Sequence, residues 1–178
     1  MIVVDNNSTD DTAYIASKHG AVVVRETRQG YGYACIGGLK AAEGEITILT
    51  ESDGTFSPRD IWKLLVYLEE DDVDMVLGTR TTMELTAKGA KMDWFLHWGN
   101  FLLGKLIQIQ FWNRCRLTDV GCTFRAIKRH ALQSVVGNFR QGGSGFSLEM
   151  IIWCLKGGLK IVEIPIRYLE RKGVSKIT

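Results

Sequence analysis

Two features that often define a protein class are missing from this sequence. Its four cysteines lie far apart and form no CxxC pair, which excludes a cysteine-rich zinc site and a disulfide framework and is typical of a reduced, cytoplasmic protein. No run of about 18 uninterrupted apolar residues is present, so the sequence predicts no membrane-spanning helix. The sequence starts in a strand-like run, so we expect no signal peptide here. The formal net charge is only +2, so composition indicates no nucleic-acid partner.

The remaining composition is that of an ordinary globular protein. The chain has 178 residues, of which 46% are apolar and 24% charged, and this length predicts one domain over residues 1–178. Short apolar runs alternate with helical segments, which favours an α/β fold with a mostly parallel, Rossmann-like sheet and helices on both faces. The predicted strands are 2–4, 21–25, 45–50, 74–78 and a run within 157–168. The first predicted helix covers residues 11–19, with Ser8 or Thr9 as its cap and Gly20 as its stop. A second helix runs through about residue 42, and a third starts at Ser57-Pro58.

Polar clusters follow three of the predicted strands. Asp5 begins the first cluster, Glu51 and Asp53 form the second, and Gly78-Thr79-Arg80 forms the third. Ligands of open α/β sheets bind beyond the carboxyl ends of the strands, so these clusters are candidate ligand sites. Each also has a purely structural interpretation: the first as an Asx-turn with a helix cap, the others as solvated surface charge.

The second and third clusters suit a diphosphate. Two carboxylates at a spacing of two provide hard oxygen ligands, which select Mg²⁺ or Mn²⁺, and the substrate's phosphates can complete the coordination shell. Arg80 can bind a phosphate through two parallel hydrogen bonds. Gly30 and Gly32 resemble a phosphate loop only superficially, and a turn into a helix is the simpler interpretation.

In order and spacing, the clusters resemble the motifs of one family. The chain is similar to family 2 glycosyltransferases with the GT-A fold, and within them to the dolichol-phosphate mannosyltransferase-like (polyprenyl-phosphate glycosyltransferase) group. The similarity runs through almost the whole chain, in the family's order. The segments that carry it are DNNSTDDT, RQGYGYACIGGLKAAEGEI, TESDGTFSPRDI, GTR, LTDVGCTFRAIKR and GFSLEMIIWCLKGGLKIVEIPIRYLERKGVSK.

The resemblance implies a role for each matching position. Asp53, Arg80 and Glu149 are the implied catalytic residues, with Glu149 as an acidic residue near the acceptor that is equally well explained as structural. The residues implied to bind the nucleotide-sugar are Asp5, Asn6, Ser8, Asp10, Glu51, Asp53, Asp119 and Arg125. Asp53 is the implied principal metal ligand, with Glu51 beside it. The residues implied to bind the acceptor phosphate are Arg80, Arg171, Ser175 and Lys176, of which the last three form a cationic loop.

The sequence departs from the family pattern at several places. Glu51 stands where the family has an aspartate, and Thr55 stands where the mannosyltransferases have a glutamine near the metal. The family's second acceptor-phosphate arginine has no clear counterpart, and Lys88, Lys91 and His97 are the nearby candidates. The family's first strand and its PxxNE-type loop also have no counterpart, so we expect either a truncated sequence or weak donor binding by this chain alone.

The implied function is an inverting, metal-dependent transfer of a sugar from a GDP- or UDP-sugar to a polyprenyl (dolichyl or undecaprenyl) phosphate. A lipid phosphate is already an anionic nucleophile, so positioning and neutralisation of the leaving diphosphate matter more than a general base. The alternatives are a family 2 transferase with a glycan acceptor, which would need a firm base, and an inactive donor-binding or scaffold domain. A sugar-nucleotide pyrophosphorylase is disfavoured because its glycine-rich basic motif is missing.

Residues 94–112 have an unusual composition, with aromatic and aliphatic residues broken by few polar ones. The resemblance places amphipathic membrane-interface helices here, and tryptophans suit the headgroup layer; packed core helices are the alternative. Flanking cations, which could meet anionic headgroups, are Lys88, Lys91, Lys105, Arg114 and Arg116. We therefore expect a protein held at the cytoplasmic face of a membrane, with a membrane-protein partner or a second copy of the chain left open.

Overall fold

The computed structural model of the chain describes residues 1–87, 94–112 and 114–172, with only the backbone described over 94–97. Its strands are β1 (Ile2–Asp5), β2 (Val22–Arg25), β3 (Ile46–Leu49), β4 (Met75–Thr79), β5 (Arg125–Lys128) and β6 (Ile161–Pro165). Its α-helices are α1 (Thr12–Lys18), α2 (Tyr31–Lys40), α3 (Ile61–Glu70), α4 (Trp94–Gln110), α5 (Arg129–Val135) and α6 (Phe146–Lys156). Short 3₁₀ turns cover Pro58–Asp60, Met83–Leu85 and Val136–Asn138.

The strands form two sheets. Strands β1 and β2 pair in parallel, and a four-stranded sheet has the order β3-β5-β4-β6. Strand β6 is parallel to β4, but β5 is antiparallel to both of its neighbours. The α/β class is confirmed, while the sheet is more mixed than expected. Strand β5 leaves little sign in the sequence, because it is only four residues long and begins with an arginine.

The four-stranded sheet is covered on both faces, as predicted. Successive side chains of a strand point to opposite faces. In β4, Met75 and Leu77 pack into one apolar cluster with residues of α2, α5 and α6, whereas Val76 packs into a second cluster with Leu64 and Leu68 of α3. These β4 and α3 side chains are 0 to 1% exposed, so β4, whose end carries the third polar cluster, is packed on both faces.

Helix α1 starts later than predicted and without the predicted cap. Ser8 uses its backbone N–H to bond the Asp5 carboxylate at 3.0 Å, and α1 begins at Thr12 with no capping side-chain hydrogen bond. The cap prediction from Ser8 or Thr9 was wrong because the carboxylate of Asp5 directs a turn before the helix begins. The predicted stop is confirmed: Gly20 follows α1 with a φ of +80°, a conformation that glycine adopts without strain.

Helix α4 corresponds to the aromatic segment and is one continuous helix. One face packs inward, where Ile107 is buried and Gly104 lies against Leu117. The opposite face exposes Leu102 and Ile109 by 61% and 66%. Among the described residues, no helix has the length and apolarity needed to cross a bilayer.

Candidate active site

The turn after β3 brings two carboxylates together. Thr55 donates hydrogen bonds to Asp53 Oδ1 from its backbone N (2.9 Å) and its hydroxyl (2.6 Å). Thr123, just before β5, donates from its hydroxyl to Glu51 Oε1 at 2.7 Å. The turn from Asp53 to Thr55 passes through Gly54, whose φ of +78° glycine adopts without strain. Each carboxylate therefore has one oxygen bound by a threonine, and its second oxygen is not used by that threonine.

A cation from a distant part of the chain lies against these second oxygens. Arg171 Nη2 lies 3.0 Å from Asp53 Oδ2 and 3.6 Å from Glu51 Oε2. The arginine is held there by backbone hydrogen bonds on both sides: Lys172 N donates to Asp53 O and Leu169 N donates to Thr55 O, both at 2.8 Å. The segment that contains Arg171 is therefore bound to the β3 turn itself.

The two carboxyl groups differ in acidity. Burial, together with the neighbouring Asp53 charge, raises the pKa of Glu51 above its usual value. Burial also acts to raise the pKa of Asp53, but the hydrogen bonds from Thr55 and the charge of Arg171 outweigh it and lower that pKa. Asp53 is therefore the firmer anion of the pair, which suits a principal cation ligand.

The donor set fits a divalent cation that is shared with a substrate. Asp53 Oδ2 is buried and receives no well-directed hydrogen bond from the described residues, although the Arg171 guanidinium lies beside it. Within the described ranges, no group of three or more His, Cys, Asp or Glu side chains forms a complete metal cage. Mg²⁺ or Mn²⁺ is commonly bound by one or two protein carboxylates when the phosphates of a substrate supply its further ligands.

Arg80 lies at the end of β4 but is already paired. Its Nε and Nη2 donate to Asp119 Oδ2 and Oδ1 at 2.7 and 2.8 Å, and its guanidinium stacks on Tyr168. Asp119 is held in turn by Glu163, which accepts from the Asp119 N–H at 2.8 Å. Burial would lower the pKa of Arg80, but the Asp119 carboxylate outweighs it and keeps the guanidinium charged. The two predicted site residues thus form one ion pair.

The first predicted cluster, after β1, positions a neighbouring loop. Asn6 donates from Nδ2 to the carbonyls of Glu26 and Arg28, both at 2.8 Å, and accepts from Gly30 N at 2.9 Å. Asp5 is buried and holds the Ser8 backbone, while Ser8 itself is exposed. Asp10, the fourth predicted member, is exposed and accepts hydrogen bonds from Thr12 N and its hydroxyl. The cluster therefore connects β1 to the glycine-rich loop that opens α2.

Arg125 does not face a ligand, contrary to the prediction for the sugar side. It is 1% exposed, and its guanidinium donates to the carbonyls of Cys122, Val120 and Ser147 at 2.7 to 2.9 Å. Burial lowers its pKa. All of these bonds are to backbone oxygens of the protein interior, so Arg125 ties β5 to the loop before it and to α6.

The carboxylate of Glu149 is engaged by backbone N–H groups of a neighbouring loop. Its carboxylate accepts from the N–H groups of Arg140 and Gln141 at 2.9 to 3.0 Å. The loop that it holds packs against the start of α2, where Gly32 N donates to Gly142 O at 2.7 Å. This geometry favours the structural interpretation of Glu149 over a catalytic base. It also explains Gly32, because a Cβ there would lie 2.0 Å from Gln141 O.

Two of the three predicted clusters meet at one segment. Tyr168 contacts Arg80, and Arg171, three residues later, contacts Asp53.

Four predicted residues lie outside the described ranges: Ser175, Lys176, Lys88 and Lys91. Sequence reasoning missed the supporting residues Thr123, Glu163 and Tyr168. Of these, only Glu163 left a signal, as a carboxylate inside an otherwise apolar strand.

The comparisons with known proteins agree with this architecture. Residues 1–136 match Glycosyl transferase family 2. An uncharacterized glycosyltransferase of Mycobacterium tuberculosis (strain ATCC 25618 / H37Rv) is 33% identical over 97% of this chain and 74% of its own length. A dolichyl-phosphate hexose transferase of Haloferax volcanii is 30% identical over 99% of this chain and 73% of its own length.

A solved structure supports the fold alone, at 22% identity. It is the glucosyl-3-phosphoglycerate synthase of Mycobacterium tuberculosis in complex with Mn²⁺, uridine diphosphate and phosphoglyceric acid. The TM-score is 0.71, and the match covers 98% of this chain but only 60% of the solved chain. With three quarters of its residues in the family match and with glycosyltransferase relatives at 30 to 33% identity over nearly its whole length, this chain belongs to glycosyl transferase family 2.

Proposed function

We propose that this chain transfers a sugar from a nucleotide-diphospho-sugar to a polyprenyl phosphate at the cytoplasmic face of a membrane. The observation that carries the proposal is the carboxylate pair Glu51 and Asp53 at the tip of β3, with Arg171 against both. Two carboxylates can hold a divalent cation, and that cation together with the guanidinium of Arg171 would bind a diphosphate and neutralise its charge as it leaves.

The donor would bind across the β3 turn. Asp53 and Glu51 would hold Mg²⁺ or Mn²⁺ together with the two phosphates, and the bound ion would act as a Lewis acid toward the leaving nucleoside diphosphate. Arg171 would bind the same phosphates. Ser8 and Asp10, exposed beyond β1, are the proposed contacts to the base and ribose.

The acceptor argument rests on the chemistry around Glu149. A neutral hydroxyl acceptor requires a general base, whereas a phosphate is already ionised. Glu149 is occupied by two backbone N–H groups, which disfavours it as that base. The 30% identity to a dolichyl-phosphate hexose transferase and the exposed apolar face of α4 also favour a lipid phosphate.

The proposed reaction is a direct displacement. An oxygen of the acceptor phosphate attacks the anomeric carbon and forms the new C–O bond, while the bond from that carbon to the diphosphate breaks and its electrons leave with the nucleoside diphosphate. Attack opposite the leaving group inverts the configuration. A product with retained configuration would contradict this mechanism.

The test is transfer of radiolabelled sugar from UDP- and GDP-sugars, with Mn²⁺ or Mg²⁺, to polyprenyl phosphate in detergent. We expect lipid-extractable label that needs the metal and that is lost in Asp53→Asn. Asp72→Asn is the matched control, because Asp72 is 90% exposed and lies on the surface beside Lys160. Transfer of label to an added soluble glycan but not to the lipid would favour a glycan acceptor, as the name of a second relative, the Haloferax volcanii low-salt glycan biosynthesis hexosyltransferase Agl6, suggests. No transfer and no nucleotide binding would favour a scaffold domain.

A further inference from the structure

Glu163 lies within β6 and accepts three hydrogen bonds from one short segment before β5. Its Oε2 accepts from the backbone N–H and the hydroxyl of Thr118, both at 2.7 Å, and its Oε1 accepts from Asp119 N at 2.8 Å. Among the described residues, no cation forms a salt bridge with this carboxylate. A partly buried charge needs such donors in place of water. Glu163 therefore fixes both the backbone and a side chain of this segment.

The hydroxyl of Thr118 is also the centre of a threonine cluster. Its single proton is donated to Glu163, so the oxygen can only accept from the two neighbouring hydroxyls. These belong to Thr79 and Thr81, at 3.0 and 3.1 Å, and the two lie 2.8 Å from each other. Since Thr79 and Thr81 flank Arg80 in the chain, Glu163 sets the direction of hydrogen bonds on both sides of that arginine.

The second contact of Glu163 reaches the Arg80 side chain through Asp119. The Asp119 carboxylate is buried and accepts from Nε, Nη2 and the backbone N–H of Arg80 at 2.7, 2.8 and 3.1 Å. The face of the guanidinium lies on the ring of Tyr168. A guanidinium has five N–H donors, so Nη1 and the second hydrogen of Nη2 are not used by Asp119. This Nη edge is one that can bind two oxygens of a phosphate.

We propose that Glu163 is a positioning residue, which holds the guanidinium of Arg80 with its Nη edge available to the acceptor phosphate. It acts through Thr118 and Asp119 and touches no reacting group itself. The identity of the phosphate rests on the proposed function, whereas the orientation of Arg80 does not. The orientation matters because a misplacement of about 1 Å can lower a rate about 100-fold.

The orientation is tested by the exchange with water of the Arg80 Nε–H proton, followed by heteronuclear NMR without donor or acceptor. Arg80→Lys removes this signal and so assigns it. Glu163→Gln replaces an acceptor oxygen by an amide that faces an N–H donor. We expect the exchange to be about tenfold faster in this variant, the effect of one hydrogen bond to a charged group.

Thr118 provides a milder second variant. Thr118→Val keeps the backbone hydrogen bond to Glu163 and loses only the hydroxyl, so it should also speed the exchange. Thr118→Ser keeps the hydroxyl and should exchange like the wild type. Wild-type exchange in both Glu163→Gln and Thr118→Val would overturn the proposal.

Asp74→Asn is the matched control for a general loss of stability. The Asp74 carboxylate accepts from Lys160 N at 2.8 Å and so joins β4 and β6 at the ends opposite to Arg80. This variant should leave both the exchange of the Arg80 proton and the transfer rate unchanged. An equally faster exchange in Asp74→Asn would show that Glu163 only stabilises the fold, and would overturn the proposal.

Transfer kinetics test the link to phosphate. Glu163→Gln should lower kcat/KM for polyprenyl phosphate about tenfold and leave KM for the nucleotide-sugar unchanged. In an Arg80→Lys background the same substitution should have little further effect, because residues that act through one another are not additive. Additive losses, or an equal loss toward the donor, would overturn the positioning role. If the wild type transfers no sugar to polyprenyl phosphate, the proposed function fails, while the proton exchange still decides how Arg80 is held.

Discussion

Replacement of Arg171 by alanine should tighten the binding of Mn²⁺ to the chain. Arg171 lies 3.0 Å from Asp53 and 3.6 Å from Glu51, against the two carboxylates that a divalent cation would use. A guanidinium and a metal ion cannot occupy the same oxygens, and their like charges repel. The arginine therefore competes with the ion, and its removal should favour the ion.

The size of the effect follows from the contact. Two unit charges 3.0 Å apart interact by about 5.5 kcal/mol at an effective dielectric constant of about 20. The Arg171 side chain is 33% exposed, so it keeps part of its hydration and the net value is smaller. A hydrogen bond to a charged group contributes about 1.5 kcal/mol at the low end. We therefore expect about a tenfold lower Kd for Mn²⁺ in Arg171→Ala.

The assay is the electron paramagnetic resonance signal of free Mn²⁺, titrated with protein in the absence of nucleotide. Lys18→Ala is the matched control, because it removes one exposed positive charge on α1. With a UDP- or GDP-sugar present, the same Arg171→Ala variant should bind donor more weakly, since it lacks a phosphate contact. An unchanged or higher Kd for Mn²⁺ without nucleotide would refute the competition argument.

Three further predictions concern the site and its support. Asp53→Asn should abolish transfer with the thermal midpoint within a few degrees of the wild type; near-normal rates would refute the cation-ligand role. Arg125→Met should lower the free energy of unfolding in urea by about 3 kcal/mol, because three carbonyls lose their donor, and a variant as stable as wild type would contradict this. Burial raises the pKa of Glu163, so the folded state binds a proton more tightly than the unfolded state. Wild-type stability relative to Glu163→Gln should therefore rise as pH falls from neutral toward about 4.5, the usual glutamate value, and a fall would refute the assignment.

The local sequence pattern was sufficient to locate the carboxyl ends of three strands. Apolar β-branched runs followed at once by polar residues identified β1, β3 and β4, and with them Asp5, Asp53 and Arg80. The reason is physical: a strand inside an α/β sheet is mainly apolar, and ligands of such sheets bind beyond the carboxyl ends of the strands, where the polar residues begin. These positions are dictated over a few neighbouring residues, so one sequence reveals them.

Only the tertiary structure decided which charged side chains lie at the site and which bind other groups of the protein. Arg125 and Arg80 look alike in sequence, yet one serves three interior carbonyls and the other pairs with Asp119, which lies 39 residues away. Arg171 reaches Asp53 across more than 100 residues. Such pairings depend on strand order and on the antiparallel insertion of β5, which are set by packing of the whole chain and leave no periodic signal in the sequence.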